Sequence, residues 1–117
     1  MAVGILLITH PGIGSALIEV AGRMLSVLPL KTEAFELAFD ADLDAALPQA
    51  SAALRRVDGG DGVLILTDMF GDTPTNAALA FVEPGRVELI SGVNLPMVVR
   101  LACAGGSNVA RNHAHYS

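Results

Sequence analysis

The chain has 117 residues, of which 52% are hydrophobic and 16% are charged, a composition that excludes a disordered chain and suits one domain with a buried core. Its formal net charge of −5 argues against a nucleic-acid partner, which requires a basic face. The apolar stretches are only as long as strands, so we expect no membrane span. Residues 1–9 lack the basic region of a signal peptide, and the single Cys103 excludes an internal disulfide. We therefore expect a cytoplasmic protein.

The first half of the chain alternates strand-like and helix-like segments. Its predicted elements are a buried strand over residues 3–9, a helix over Gly14–Ser26, a strand over Thr32–Ala38 and a helix that starts in the acidic segment 40–44. Pro48 leaves two alternatives, since the second helix is either kinked there or has its main part begin there. The predicted buried face of the first helix comprises Ala16, Leu17, Val20, Ala21, Met24 and Leu25.

The second half repeats this alternation. Its predicted elements are a doubly buried strand over Val63–Thr67, a helix from Thr73 through Phe81, a strand over Arg86–Ile90 and a helix from Pro96 to about Ala102. Thr73 and Pro74 suit the N-cap and first position of their helix. The pattern predicts a single α/β domain over residues 1–117, with an open, mainly parallel sheet and helices on both faces, and it fades after Cys103.

Polar side chains follow two of the apolar strands. His10 comes directly after the first strand, and Asp68 comes directly after the third. In a flavodoxin-like strand order, 2-1-3-4, these strands are neighbours and their carboxyl ends lie at one edge of the sheet. A carboxylate beside an imidazole fixes its tautomer and leaves the other ring nitrogen as a nucleophile. We therefore expect the nitrogen of His10 that faces away from Asp68 to be the reactive atom.

The loop after the third strand predicts an anion site. Gly71, Asp72 and Thr73 lead into the start of a helix, where backbone N–H groups and the helix dipole favour a phosphate. A nucleophilic histidine, an orienting acid and an anion site together indicate phosphoryl transfer to His10.

Three segments carry a resemblance to a known family. They are Ile8-Thr9-His10, residues 67–76 with the sequence TDMFGDTPTN, and residues 91–97 with the sequence SGVNLPM. Each follows a predicted strand, and together they resemble the mannose-type enzyme IIA domain of the bacterial phosphoenolpyruvate:sugar phosphotransferase system. The resemblance covers about residues 3–102, and it implies that residues from about 104 to 117 are an atypical or truncated tail.

The resemblance implies a specific activity and set of partners. His10 would accept a phosphoryl group from the phosphorylated carrier protein HPr and pass it to a IIB protein, which serves a sugar entering through a membrane permease. Asp68 would hydrogen-bond His10, and no metal or organic cofactor would take part. Family members are commonly homodimers. Asp72 stands where they often have Gly or Ala, and we expect its carboxylate to point away from the phosphoryl site.

Three alternatives remain open at the level of sequence. Gly12-Ile13-Gly14 resembles half of a dinucleotide-binding motif, although Leu17 occupies the place of its third glycine. The phosphocarrier subunit of dihydroxyacetone kinase has a similar fold and a histidine at a strand end. A stand-alone regulatory phosphoprotein would use His10 phosphorylation as a signal that a partner protein detects.

Overall fold

The fold is an α/β sandwich of three layers. The computed structural model describes residues 3–26, 31–69 and 73–103. Within these ranges the elements are β1 (Gly4–Thr9), α1 (Ile13–Leu25), β2 (Thr32–Glu36), α2 (Leu43–Val57), β3 (Val63–Thr67), α3 (Thr73–Leu79), β4 (Val87–Ser91) and α4 (Leu95–Ala102). Among the described helices, none combines the length and the apolar character needed to cross a membrane.

The four strands form one parallel sheet in the order β2-β1-β3-β4, which confirms the predicted topology. Ile8 of β1 pairs with Phe35 of β2 on one side and with Thr67 of β3 on the other. The carboxyl ends of the two central strands therefore finish side by side, at the edge where ligands of open α/β sheets bind.

Two apolar cores lie on opposite faces of the sheet, because successive side chains of a strand point to opposite faces. Ile5 and Leu7 of β1 pack in one core with Ala21 of α1 and with Leu101 of α4. Leu6 and Ile8 pack in the other, which is built from α2 and α3; its remaining buried members are Leu37, Ala53, Val57, Val63, Ile65, Ala77, Ala78 and Val87. β1 is thus fully buried, as its continuous apolar run predicts.

The buried face of α1 differs from the predicted one. Val20 and Met24 were expected to face the core, but they are 42% and 61% exposed. Ala21 is buried and Leu17 packs against the core, as predicted, whereas Gly14 is also buried and Ile18 also packs against the core without having been predicted to do so. The helix has apolar residues on more than one face, so periodicity alone did not determine which of them meets the sheet.

Helix α2 runs through Pro48 without ending there. It begins at Leu43, and the Asp42 carboxylate accepts a hydrogen bond from the backbone N–H of Asp44 at 3.1 Å, which makes Asp42 its N-cap. Pro48 and Asp44 are both exposed. Because proline lacks an N–H, the Asp44 carbonyl loses its helical partner at a position that water reaches.

Helix α3 is shorter than predicted. It begins at Thr73, which is the first helical residue rather than the predicted N-cap, and ends at Leu79 rather than at Phe81. Beyond that point the backbone tightens, since the N–H groups of Ala80, Phe81 and Val82 each bond to the carbonyl three residues earlier.

Candidate active site

His10 and Asp68 meet at the carboxyl ends of β1 and β3. The Oδ2 atom of Asp68 lies 2.8 Å from Nδ1 of His10, and it also accepts a hydrogen bond of 3.1 Å from the backbone N–H of His10. The other oxygen, Oδ1, accepts the N–H of Met69 at 3.0 Å. One carboxylate therefore holds both the main chain and the ring of His10.

The Asp68 carboxyl group is ionised at neutral pH. Its partial burial disfavours the charged form, but the hydrogen bonds from the ring and backbone of His10, with the attraction of that ring, outweigh this effect and hold the pKa of Asp68 below its usual range. An ionised carboxylate only accepts hydrogen bonds, so Nδ1 of His10 carries the proton that points at it. In the neutral imidazole the lone pair is then on Nε2.

The turn after β1 is held by the buried Thr9. Its hydroxyl donates to the carbonyl of His10 at 2.9 Å and accepts the N–H of Gly14 at 2.9 Å. Gly12 adopts a φ of 83°, a conformation that favours glycine. A Cβ on Gly14 would lie 3.0 Å from the Thr9 hydroxyl oxygen and 3.1 Å from Cβ of Ala34. The two glycines thus let α1 begin immediately beside His10.

Glu36, which the sequence analysis did not single out, supplies the polar cap of α1. Its Oε2 accepts hydrogen bonds from the backbone N–H of Ser15 at 2.9 Å and from the Ser15 hydroxyl at 2.6 Å. The hydroxyl of Ser15 and the backbone N–H groups of Gly12 and Ser15 lower the pKa of Glu36. The signal for this contact was available, since residue 36 lies near the carboxyl end of the strand that was predicted over Thr32–Ala38, beside β1.

An aromatic ring lies against His10. The ring centroids of His10 and Phe39 are 5.2 Å apart, and the ring planes are inclined by 31°. Phe39 belongs to the connection between β2 and α2, where no sequence pattern indicates a position relative to β1. Sequence reasoning therefore missed it.

Hydroxyl groups fix the end of β3 beneath Asp68. The Thr67 hydroxyl donates to that of Ser91 at 3.0 Å and lies 3.2 Å from the hydroxyl of Thr75. Thr75 in turn donates to the carbonyl of Met69 at 2.6 Å. Since Thr67 and Thr75 are fully buried, this network ties β3, β4 and α3 together directly behind Asp68.

Only one residue of the predicted anion site, Thr73, lies among the described residues. Thr73 opens α3, whereas Gly71 and Asp72 lie outside the described residues. The expected outward orientation of Asp72 lies outside them as well, as does the tail 104–117. In the three described ranges, no group of three or more His, Cys, Asp or Glu side chains is placed to hold a metal ion.

Comparison with known proteins decides the family. The model of the EIIA-man family, described as the PTS system fructose IIA component, matches residues 4–113. The chain belongs to this family. The predicted membership in the mannose-type IIA components of the phosphotransferase system is thereby confirmed.

Curated IIA relatives match shorter segments. The fructose-specific EIIA component of Bacillus subtilis is 42% identical over 50 residues, which are 42% of this chain and 34% of the relative. The mannose-specific EIIAB component of Escherichia coli is 37% identical over 62 residues, which are 52% of this chain and 19% of that protein. The matched segments thus span about a third and a fifth of these relatives.

A solved IIA structure shows the same fold over nearly the whole chain. The mannose/sorbose specific IIA subunit of the phosphotransferase system from Enterococcus faecalis superposes with a TM-score of 0.81 at 19% identity. The superposition covers 99% of this chain and 86% of that one. Because the sequence identity is only 19%, we use this superposition as evidence for the flavodoxin-like fold alone.

Proposed function

We propose that this IIA component is a phosphocarrier that accepts a phosphoryl group on Nε2 of His10. The observation that carries the proposal is the 2.8 Å contact between Nδ1 of His10 and the ionised Asp68, because it directs the ring's lone pair away from the carboxylate. Membership in a family of phosphotransferase-system components supports phospho-HPr as the donor and a IIB protein as the acceptor, both in the cytoplasm.

The transfer balances without a cofactor. The Nε2 lone pair forms the new N–P bond while the N–P bond of the donor's phosphohistidine breaks, and that bond's electron pair stays on the donor nitrogen. The proton on Nδ1 of His10 remains in its hydrogen bond to Asp68. The positive charge that develops on the His10 ring is stabilised by the Asp68 carboxylate. Passing the phosphoryl group to the IIB protein reverses these steps.

The exposure of the site suits transfer between proteins. The side chains of His10 and Asp68 are 14% and 11% exposed, so the pair is largely screened from water yet still reaches the surface. Gly71, Asp72 and Thr73 remain the predicted phosphate-binding residues.

The test is phosphorylation followed by intact-mass spectrometry. The protein is incubated with phosphoenolpyruvate, enzyme I and HPr, and we expect it to gain one phosphate. His10→Ala should gain none, whereas a variant with both His113→Ala and His115→Ala, which removes the remaining histidines, should still gain one. Asp68→Asn should accept phosphate at least about tenfold more slowly, because the amide carries no charge to offset that of the ring.

Two outcomes would contradict the proposal. One is a wild-type protein that stays unmodified beside HPr shown to be phosphorylated. The other is a His10→Ala variant that still gains phosphate.

Adding a mannose-type IIB protein to the phosphorylated wild type should then remove the phosphate; retention of the phosphate would exclude transfer to that acceptor.

A further inference from the structure

An exposed phenylalanine stands beside the proposed nucleophile. Phe39 is 83% exposed, the highest value among the large apolar residues in the described part of the chain. Leaving so much apolar surface in water is unfavourable. Its ring nevertheless lies 5.2 Å from that of His10, within the range of direct aromatic contact.

The backbone holds Phe39 in this place. Leu37, two residues earlier, is buried, and its N–H donates to the carbonyl of Thr9 at 2.9 Å. The N–H of Ala41 donates to the carbonyl of Ala38 at 3.1 Å, which closes a turn around Phe39. The chain on both sides is therefore tied down, and one of the ties reaches the residue that precedes His10.

The hydrogen bond to Asp68 fixes only part of the imidazole's orientation. It restrains Nδ1, but a hydrogen bond tolerates tens of degrees of misalignment, and the histidine χ2 torsion has a broad energy well. A hydrogen bond at Nδ1 alone therefore leaves the direction of the Nε2 lone pair to be set by the other contacts of the ring. The ring of Phe39, 5.2 Å away and inclined by 31°, makes one of these contacts.

We propose that Phe39 is a positioning residue that acts on His10 through this contact between the two rings. Together with Asp68 it holds the imidazole so that the Nε2 lone pair stays aligned with the incoming phosphorus. At a centroid distance of 5.2 Å the phenyl ring is also close enough for a cation–π interaction with the positive charge that the imidazole gains during transfer. This inference rests on the proposed phosphoryl transfer to His10.

The contact is tested first in the unphosphorylated protein. In Phe39→Ala the NMR resonances of the His10 ring protons should shift, since they lose the ring current of the phenyl group, whereas Phe39→Tyr should keep them near their wild-type positions. Met24→Ala is the matched control. Met24 is also apolar and 61% exposed, but it lies near the C-terminal end of α1, whereas His10 precedes the N-terminal end of that helix. Unchanged His10 resonances in Phe39→Ala would overturn the inference.

The role is tested by transfer kinetics with phospho-HPr. In Phe39→Ala the single-turnover rate at saturating donor should fall about tenfold, because misaligned reacting atoms slow the step itself. The donor concentration at half-maximal rate should change little, and Phe39→Tyr and Met24→Ala should retain the wild-type rate. An unchanged saturating rate would overturn the inference, as would a change confined to the half-maximal concentration, which would make Phe39 a docking residue.

The two proposals fail separately. A wild-type protein that never accepts phosphate contradicts the phosphocarrier function, whatever the NMR spectra of the Phe39 variants show. A wild-type protein that accepts phosphate normally, beside a Phe39→Ala variant that does so equally fast, contradicts only the role of Phe39.

Discussion

At the scale of single residues, the Asp68 carboxylate links the backbone of β1 to the chemistry of His10. The same oxygen receives the main-chain N–H and the ring Nδ1–H of His10. The ring is thereby held relative to the end of its own strand. A displacement of β3 against β1 would break both hydrogen bonds together, so the site depends on the register of the two central strands.

This pairing should make stability depend on pH in the acid range. The pKa of Asp68 is lower in the folded protein than the usual value of about 3.9 in an unfolded chain, so between the two values the unfolded state binds more protons. The stabilisation is therefore present above about pH 4 and is lost as the pH falls through the folded pKa. Urea unfolding of wild type and Asp68→Asn should show a difference in unfolding free energy at pH 7 that shrinks on acidification below about pH 4.

Asp61→Asn is the control for this measurement, since it removes a carboxylate from the loop before β3, at the opposite edge of the sheet. Its unfolding free energy should track that of the wild type through the acid range. A difference between wild type and Asp68→Asn that stays constant with pH would show that the Asp68 charge contributes nothing to folding.

At the scale of elements, β1 and α2 are in backbone contact at Gly4. A Cβ built on Gly4 would lie 2.0 Å from the carbonyl oxygen of Val57, the last residue of α2. The close approach involves main-chain atoms at a helix end, so no side-chain rotation can relieve it.

Gly4→Ala should therefore destabilise the protein by about 1–3 kcal/mol or more, because α2 must shift away from the sheet. Gly22 offers a matched control in the interior of α1, where an added Cβ meets nothing within 4 Å. Gly22→Ala should stabilise the protein by about 0.5–1 kcal/mol. Both values come from urea unfolding at neutral pH, and equal midpoints for the two variants would contradict the close approach.

The predictability of the elements from sequence follows from their burial. β3 was predicted with its observed bounds because Val63–Thr67 is apolar throughout and a glycine-rich turn precedes it. The face of α1 was predicted only in part: Leu17 and Ala21 meet the core as expected, whereas Val20 and Met24, which are as apolar, are exposed. The end of α3 was also missed, because no residue type after Leu79 indicates that the backbone changes there to hydrogen bonds between residues three apart.

The same distinction holds for the site. His10 and Asp68 are brought together by the topology, as two residues that directly follow neighbouring strands: the alternating pattern predicts the parallel sheet, and the flavodoxin-like order expected for it makes these strands neighbours. Phe39 reaches His10 through a turn beyond the end of β2. Such a contact depends on the path of the backbone after the strand, which periodicity does not specify.

At the scale of the whole molecule, one sheet separates two apolar cores that do not share a helix. Leu101 of α4 is fully buried in one core, and Ile65 of β3 is fully buried in the other. The two central strands contribute side chains to both cores, so neither core can be lost while the sheet stays intact. We therefore expect a single cooperative unfolding transition.

A double-mutant cycle tests this arrangement. Leu101→Ala should lower the unfolding free energy by about 2–5 kcal/mol and Ile65→Val by about 0.5–1.5 kcal/mol, since each leaves a cavity in a closed core. Because the two side chains belong to separate cores, their effects should add within about 0.5 kcal/mol in urea unfolding. A larger deviation would show that the faces are coupled through the sheet, and a two-step transition would show that one core survives the other. Additive losses within one transition would mean that both cores unfold together with the sheet, and with the strand ends that bear His10 and Asp68.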